Sequence, residues 1–457
     1  MALRNPLSVL TTEQLDRMHA SALRILETVG IHVERDDVRE EIATRPGFRL
    51  VDGRIRIAPE RIEAIRKPSL PPFEVQQDPA SLHFSVDNRM AWIAEPDGRT
   101  LRAMTRDDVV RGTKLIHVLH AKGLIGSTPG PPQDVPIRRQ PLEQYLIAAE
   151  FSPGGGSTQV TDLWTAEVVR EMDRVYGREF ATSVWCPSPL VLGGPELDIL
   201  WRFRDELKWF LVGTMPNMGI SGPCDLMGVY ALSIAESLGG VAILLELLPG
   251  RQWGIHPHPE PADLRSGAMT MGSPEWELLD LMTRDVLRYY AQEWNWKFLL
   301  TGSSVPDAQA AAEKAVSATS GMLAGFDYFG NVGQLACDEI YSPAQLMIDI
   351  EIVEHAYRAT RQPEPAVPLE DLADIVSEIV EEGMLFAEHE STISAIRKVY
   401  GPQGLFYRAP RGQWLAAGSP DLRAEAEAEA NRLADSLEWE PPQEILGQLR
   451  KIADAAT

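Results

Sequence analysis

The chain has 457 residues, enough to bury a large core as one big domain with appendages or as two domains. Its formal charge of −23 argues against nucleic acid or an anionic membrane as a partner, and the dispersed Cys186, Cys224 and Cys337 form neither a disulfide framework nor a CxxC metal knuckle. No apolar run reads as long enough to span a bilayer, and Met1-Ala2-Leu3-Arg4 lacks the apolar stretch of a signal peptide, so a cytoplasmic protein is expected.

Thr11-Thr12-Glu13-Gln14 reads as a capping box, and Leu15, Met18, Ala22, Ile25, Leu26 and Val29 continue it as a helical stripe ended by Gly30. A second helix is expected over 36–42 and a third from Ala58-Pro59, with short strands at 54–57 and 73–75 between and after them. Residues 1–85 thus read as an α+β cap. The stretch 90–105 alternates around Asp97-Gly98, a hairpin signal of the type I′ kind, and Thr105-Arg106-Asp107-Asp108 opens the next helix.

From about Leu124 the pattern becomes strand, loop, helix, repeated. Strands are expected at 158–161, 183–186, 208–212, 241–248, 296–300 and 326–329, and helices at 195–207, 226–238, 274–293 and 306–323. Apolar strands alternating with amphipathic helices argue for parallel β built from right-handed βαβ units, and the number of units suggests a TIM (β/α)8 barrel over 86–400. A doubly wound open sheet is the other architecture of this pattern. Pro363-Glu364-Pro365 marks a linker, helices follow from Leu369, Ser391 and Leu422, and 401–457 reads as a C-terminal helical extension.

In a barrel, side chains just past the strand ends share a mouth. Those positions are Trp185 and Ser188, Asn217, Trp253 with His256 and His258, Thr301 to Ser303, and Tyr328 with Asn331. The set is polar and aromatic with few carboxylates, which suits holding a small substrate better than hydrolysis by a paired acid and base. Tryptophan faces attract quaternary ammonium groups through cation–π interaction. His256-Pro257-His258 is a metal pair only with a third ligand such as Glu260 or Asp263, and is otherwise a proline-rich loop. Arg265 lies in a turn, suited either to gripping a carboxylate or to pairing with Asp263 or Glu275. His389 is a lone histidine near a possible last strand end. Gly154-Gly155-Gly156 lacks the spacing of a nucleotide loop, and neither GxSxG nor HExxH occurs.

Several segments, in order, resemble the trimethylamine methyltransferase (MttB-like) family: 10–33, Asp134-Val135-Pro136, Pro187-Ser188-Pro189-Leu190, Asp263-Leu264-Arg265-Ser266-Gly267, Gly272-Ser273-Pro274-Glu275, and Asp307-Ala308-Gln309-Ala310 with Glu313. The resemblance implies a TIM barrel that moves a methyl group from a methylamine to Co(I) of a corrinoid (cobalamin). A separate small corrinoid protein would carry that cofactor, since this chain has no DxHxxG signature and none is expected to bind tightly to it. Where the family often reads Thr-Asp-Ser-Lys, this chain has Thr301-Gly302-Ser303-Ser304, and its counterpart of a C-terminal His-Thr pair is His389-Glu390. It also lacks pyrrolysine, as does the glycine betaine methyltransferase branch.

The expectation is therefore a homo-oligomeric methyltransferase for a betaine-type quaternary amine. Its catalytic candidates are His256, Arg265 and His389. Trp185, Asn217, Trp253, His258, Thr301, Ser303, Tyr328 and Asn331 are the candidates for binding substrate, and no metal site is expected. The alternatives are another methyl donor (a methylamine, a sulfonium or a methyl ether) or a catalytically silent ligand-binding homologue.

Overall fold

Strand Tyr328–Gly330 pairs in parallel with strand His83–Ser85, so the last strand of the parallel set is hydrogen-bonded to the first. An open sheet wound in chain order leaves those strands at opposite edges, whereas a barrel sets them side by side. This computed structural model describes residues 2–3, 6–67, 75–76, 82–361, 363, 365–400 and 404–456. One parallel arc runs Phe180–Cys186, Leu207–Thr214, Gln252–Pro257, and the other runs Trp296–Phe298, Tyr328–Gly330, His83–Ser85, Leu124–Ile125.

The helices complete the pattern. In turn they are Arg106–Leu119, Gln140–Phe151, Leu163–Val175, Pro195–Arg202, Leu226–Leu247, Pro274–Tyr289, Ala308–Ala324 and Pro343–Thr360. The stretch 158–161, expected as a strand, precedes the third of these helices without ladder bonds of its own. The architecture is a (β/α)8 barrel with one irregular strand position.

The starts of these helices follow the sequence. The Thr11–Gln14 capping box is formed, and Ser273 and Asp307 accept from the backbone N–H of Trp276 and Ala310. The hairpin of Trp92–Ala94 with Leu101–Ala103 also forms, but its turn is not type I′. Only Gly98 has positive φ there, and the Glu95 N–H and Thr100 carbonyl close a longer loop.

One expectation fails in a way that moves the site. Residues 241–248 are not a strand but the second half of the 22-residue helix Leu226–Leu247. A continuous apolar run does not distinguish a buried helix from a buried strand. Gly239 and Gly240, which fall between the expected helix and strand, are packing contacts: a Cβ would stand 2.3 Å from Ile31 at Gly239 and 2.9 Å from Val212 at Gly240. Contrary to the reading of the sequence, this one helix is long and apolar enough to cross a membrane, but 89% of its most apolar window is buried inside the fold.

The Thr12–Thr28 helix packs on this buried helix, and strand His32–Val33 pairs with Val191–Leu192 just beyond a barrel strand. The strand expected at 73–75 falls, except for Val75, outside the described residues. At the other end of the chain, helix Leu422–Asp435 packs on Pro343–Thr360 and Arg106–Leu119, and Gln443–Ala455 on Leu163–Val175. Two buried ion pairs lock the outer layer: Lys297 Nζ lies 2.5 Å from Asp280, and Lys314 Nζ lies 2.6 Å from Asp349.

Candidate substrate site inside the barrel

Alternation along the strands decides what fills the barrel. Val184, Cys186, Phe210, Val212, Ile255 and Phe329 face the helices and are buried in the apolar core. The opposite positions carry Trp185, Trp209, His256, Trp296, Phe298 and Tyr328, so the interior is aromatic where a barrel of this class usually stacks branched aliphatics. Glycines on neighbouring strands make the room. A Cβ would stand 2.6 Å from the Trp185 ring at Gly213 and 3.4 Å from Trp209 at Gly254, and at Gly330 it would overlap Trp296. Trp185, at the carboxyl end of its strand, is still 38% exposed, so the mouth is open beside it.

The rings form one connected set. Trp296 lies 4.5 Å from Tyr328 and stacks with Trp294 at 6.2 Å. His256 lies 4.4 Å from Trp294 and 5.6 Å from Trp185, and stacks on His258 at 5.0 Å and 9°. His258 in turn touches Phe298 and Trp276. Both histidines are buried, and burial pushes the His256 pKa down to about 4 and that of His258 well down too. They are neutral, with His256 Nδ1 and His258 Nε2 unpartnered. Among the described residues no group of three or more His, Cys, Asp or Glu is placed to hold a metal ion.

Several buried polar groups at either end of the barrel strands lack partners. Asn331, at φ 61°, donates from Nδ2 to Gln334 Oε1, leaving Asn331 Oδ1 and Gln334 Nε2 unpaired. The Trp294 and Trp296 indole nitrogens are unpaired as well, and so is Asn217 Oδ1. Asn217 bridges to Glu260, a fully buried residue with neither carboxyl oxygen bonded. Burial, reinforced by Asp338 and opposed by Arg89, pushes Glu260 up to about 8, so it is largely protonated at neutral pH.

The expected site residues divide accordingly. His256, His258, Trp185, Tyr328 and Asn331 are brought together or border the ring set. Thr301 and Ser303 are buried at the next strand-to-helix junction, with their hydroxyls committed: Thr301 Oγ1 donates to Glu313 at 2.5 Å and Ser303 Oγ to Asp307 at 2.9 Å. Trp253 belongs elsewhere. It stands at the start of its strand, on the face opposite Gly254 and His256, against the outer core with Lys67 near its ring. Its placement at a strand end followed from the misread 241–248 segment.

Arg265 also corrects the expectation. Its side chain is 92% exposed and pairs with Asp263 in the turn of the Ala262–Asp263 and Ala268–Met269 hairpin. His389 lies outside the barrel, before helix Glu390–Tyr400, with Nδ1 2.7 Å from Ser391 and Nε2 3.8 Å from Glu378. Trp209, Phe298 and Gln334 were missed as site candidates, and Glu260 was named only as a possible third metal ligand. Period-2 alternation along their own strands, back from Gly213 and on from Trp296, would have found the first two.

A family model described as trimethylamine methyltransferase (MTTB) matches residues 2–444. The chain belongs to this family. It is a methyltransferase by that membership. It is 23% identical over 339 residues to the glycine betaine methyltransferase of Desulfitobacterium hafniense, covering 70% of each chain. It is also 23% identical over 476 residues to the trimethylamine methyltransferase MttB of that species, covering 97% of this chain and 92% of that one. Among solved structures it is similar to the Methanosarcina barkeri monomethylamine methyltransferase, with a TM-score of 0.47, 10% identity and 95% and 90% of the two chains covered.

Proposed function

We propose that this protein takes a methyl group from a quaternary amine of the betaine type and passes it to a corrinoid held by a separate small protein. The observation that carries the reading is the aromatic barrel interior: Trp185, Trp296, Phe298 and Tyr328 line it, with two neutral histidines among the rings and a protonated glutamate three residues past the end of the Gln252–Pro257 strand. Such a wall holds a fixed cation through ring faces while excluding water, and it offers no strong anion to trap the cation as a salt.

The chemistry suits a quaternary donor. Its nitrogen is already positive, so the C–N bond breaks with both electrons staying on nitrogen, and the leaving group is a neutral tertiary amine. No covalent activation of the amine is required, in keeping with a chain that has no pyrrolysine. Co(I) of the corrinoid supplies the nucleophile as second substrate. The protein's own task is to hold one methyl toward the open mouth beside Trp185. With Arg265 turned to solvent, we assign the betaine carboxylate to the unpaired donors Gln334 Nε2 and Trp296 Nε1, beside Asn331. His256 and His258 then act as neutral spacers. A cytoplasmic location fits the three free cysteines.

The test is anaerobic. The protein is mixed with reduced free cobalamin or a reduced corrinoid protein and a panel of betaines, tertiary methylamines, sulfoniums and methyl ethers, and methylcobalamin absorbance is followed. Transfer from a betaine is the expected result. Absence of transfer from every quaternary amine would overturn the reading, and transfer from another donor would redirect it.

A further inference from the structure

His258 reaches two environments at once. Its ring stacks on His256 inside the barrel, and its Nδ1 lies 3.3 Å from the Thr283 hydroxyl of helix Pro274–Tyr289. Its place in the fold allows both. Among the described residues no ladder bonds join strand Gln252–Pro257 to strand Trp296–Phe298, and His258 follows the first of these, its N–H still bonded to the Thr214 carbonyl. Thr283 belongs to a small polar group behind it. Tyr230, from helix Leu226–Leu247, is hydrogen-bonded to the Leu279 carbonyl and lies 2.6 Å from the Thr283 hydroxyl. Both side chains are fully buried.

The protons of this group can be placed. The Leu279 carbonyl has none to give, so Tyr230 donates to it. The Tyr230–Thr283 contact is then filled by the Thr283 proton. Giving that proton to His258 instead would leave two buried hydroxyl oxygens in contact with no hydrogen between them. Thr283 Oγ1 therefore accepts from His258. Nδ1 carries the proton of the ring, and Nε2 is a bare lone pair. That nitrogen is buried and has no partner among the described residues.

The tautomer decides the sign of the field among the rings. An imidazole dipole has its positive end at the N–H and its negative end at the bare nitrogen. With Nδ1–H committed to Thr283, the negative end is Nε2, in a ring that touches His256, Phe298 and Trp276. The other tautomer would set an N–H there and oppose a fixed cation.

We infer that Thr283 and Tyr230 are positioning residues for substrate recognition, holding His258 as the Nδ1–H tautomer so that the Nε2 lone pair is the pole offered to the quaternary ammonium group. His258 thereby adds a directed dipole to its role as spacer. The inference rests on the cation reading of the ring set, whereas the tautomer belongs to the free protein and is read without substrate.

The full-length protein, labelled with nitrogen-15 histidine, is followed by long-range proton–nitrogen correlation at neutral pH, with the His258 signals assigned by their loss in His258→Gln. The wild type is expected to show a protonated Nδ1 and a bare Nε2. Thr283→Val keeps the shape and removes the acceptor. It should mix in the Nε2–H tautomer and weaken betaine binding roughly three- to tenfold, while an uncharged tert-butyl isostere changes less than about twofold. Thr283→Ser should restore both the tautomer and the affinity. A bare Nδ1 in the wild type overturns the inference whether or not the protein transfers methyl groups. So does a Thr283→Val variant that keeps the wild-type tautomer, or one that loses both ligands equally. The spectra stand or fall apart from the methyl-transfer assay, so failure of this inference and failure of the donor reading are told apart.

Discussion

The Trp185 indole occupies the space above Gly213, where a Cβ would stand 2.6 Å from its ring. The two residues face each other across paired strands, Trp185 being the register partner of Gly213. The glycine is therefore a seat for the tryptophan, and the shape of the barrel interior depends on it. Gly213→Ala should displace the indole, raise KM for the quaternary amine about tenfold and shift the tryptophan emission, with less effect on kcat. Steady-state kinetics beside emission spectra check this, and an unchanged KM would mean that Trp185 is no part of the cation wall.

The same wall makes a prediction about charge. A ring face binds a cation with about 0.5–2 kcal/mol, which corresponds to a roughly 2- to 30-fold change in affinity. Trp296→Leu should weaken a betaine by an amount in this range and weaken its uncharged tert-butyl isostere much less. Calorimetric titration of both ligands against both proteins gives the comparison. Equal losses would reduce Trp296 to shape alone.

Arg265→Ala should change kcat/KM less than twofold, because the guanidinium projects into solvent and its partner is Asp263. Gln334→Leu should raise KM for a betaine at least tenfold through loss of the unpaired Nε2 donor, while a quaternary amine without a carboxylate is unaffected. The pair of variants tells the two candidate anchors apart in one kinetic series.

Most of the barrel was legible because caps and strand–helix alternation are local signals: Ser273, Asp307 and Thr11 each announce a helix start that forms. The 226–247 helix was not, since an apolar run leaves helix and strand alike open, and the role of Gly239 and Gly240 as helix contacts shows only once Ile31 and Val212 arrive from distant segments. That error displaced Trp253 from one end of a strand to the other. His256 and His258 were found because histidines in an apolar run stand out. Glu260 was named only as a hypothetical metal ligand, since nothing local tells a buried carboxyl from a solvated one. The direction of Arg265 likewise depends on a hairpin turn, which a motif match leaves open.

Outside the site, Lys314 and Asp349 are both fully buried, and Asp349 also accepts from Gln345 Nε2 and the Gly333 N–H. Lys314→Met leaves that carboxylate without its cation between two barrel helices. The expected loss is about 3–5 kcal/mol, the usual result of orphaning one partner of a buried pair. The double variant K314M/D349L should recover much of it, because both charges then leave together. Urea unfolding at neutral pH measures both.

Glu260 sets a dependence on pH whose sign follows from its environment. Burial raises its folded pKa to about 8 from an ordinary value of 4.5, so between those values the folded chain holds a proton that the unfolded chain has released. Stability from this group is complete below pH 4.5, falls as pH rises through the window and levels off above about 8. Glu260→Gln removes the titration while keeping the size of the side chain. Unfolding curves between pH 5 and 9 should therefore show the variant gaining on the wild type as pH rises, the difference reaching a plateau above about pH 8. Parallel curves across the range would place the Glu260 pKa near its ordinary value and remove the protonated glutamate from the proposed site.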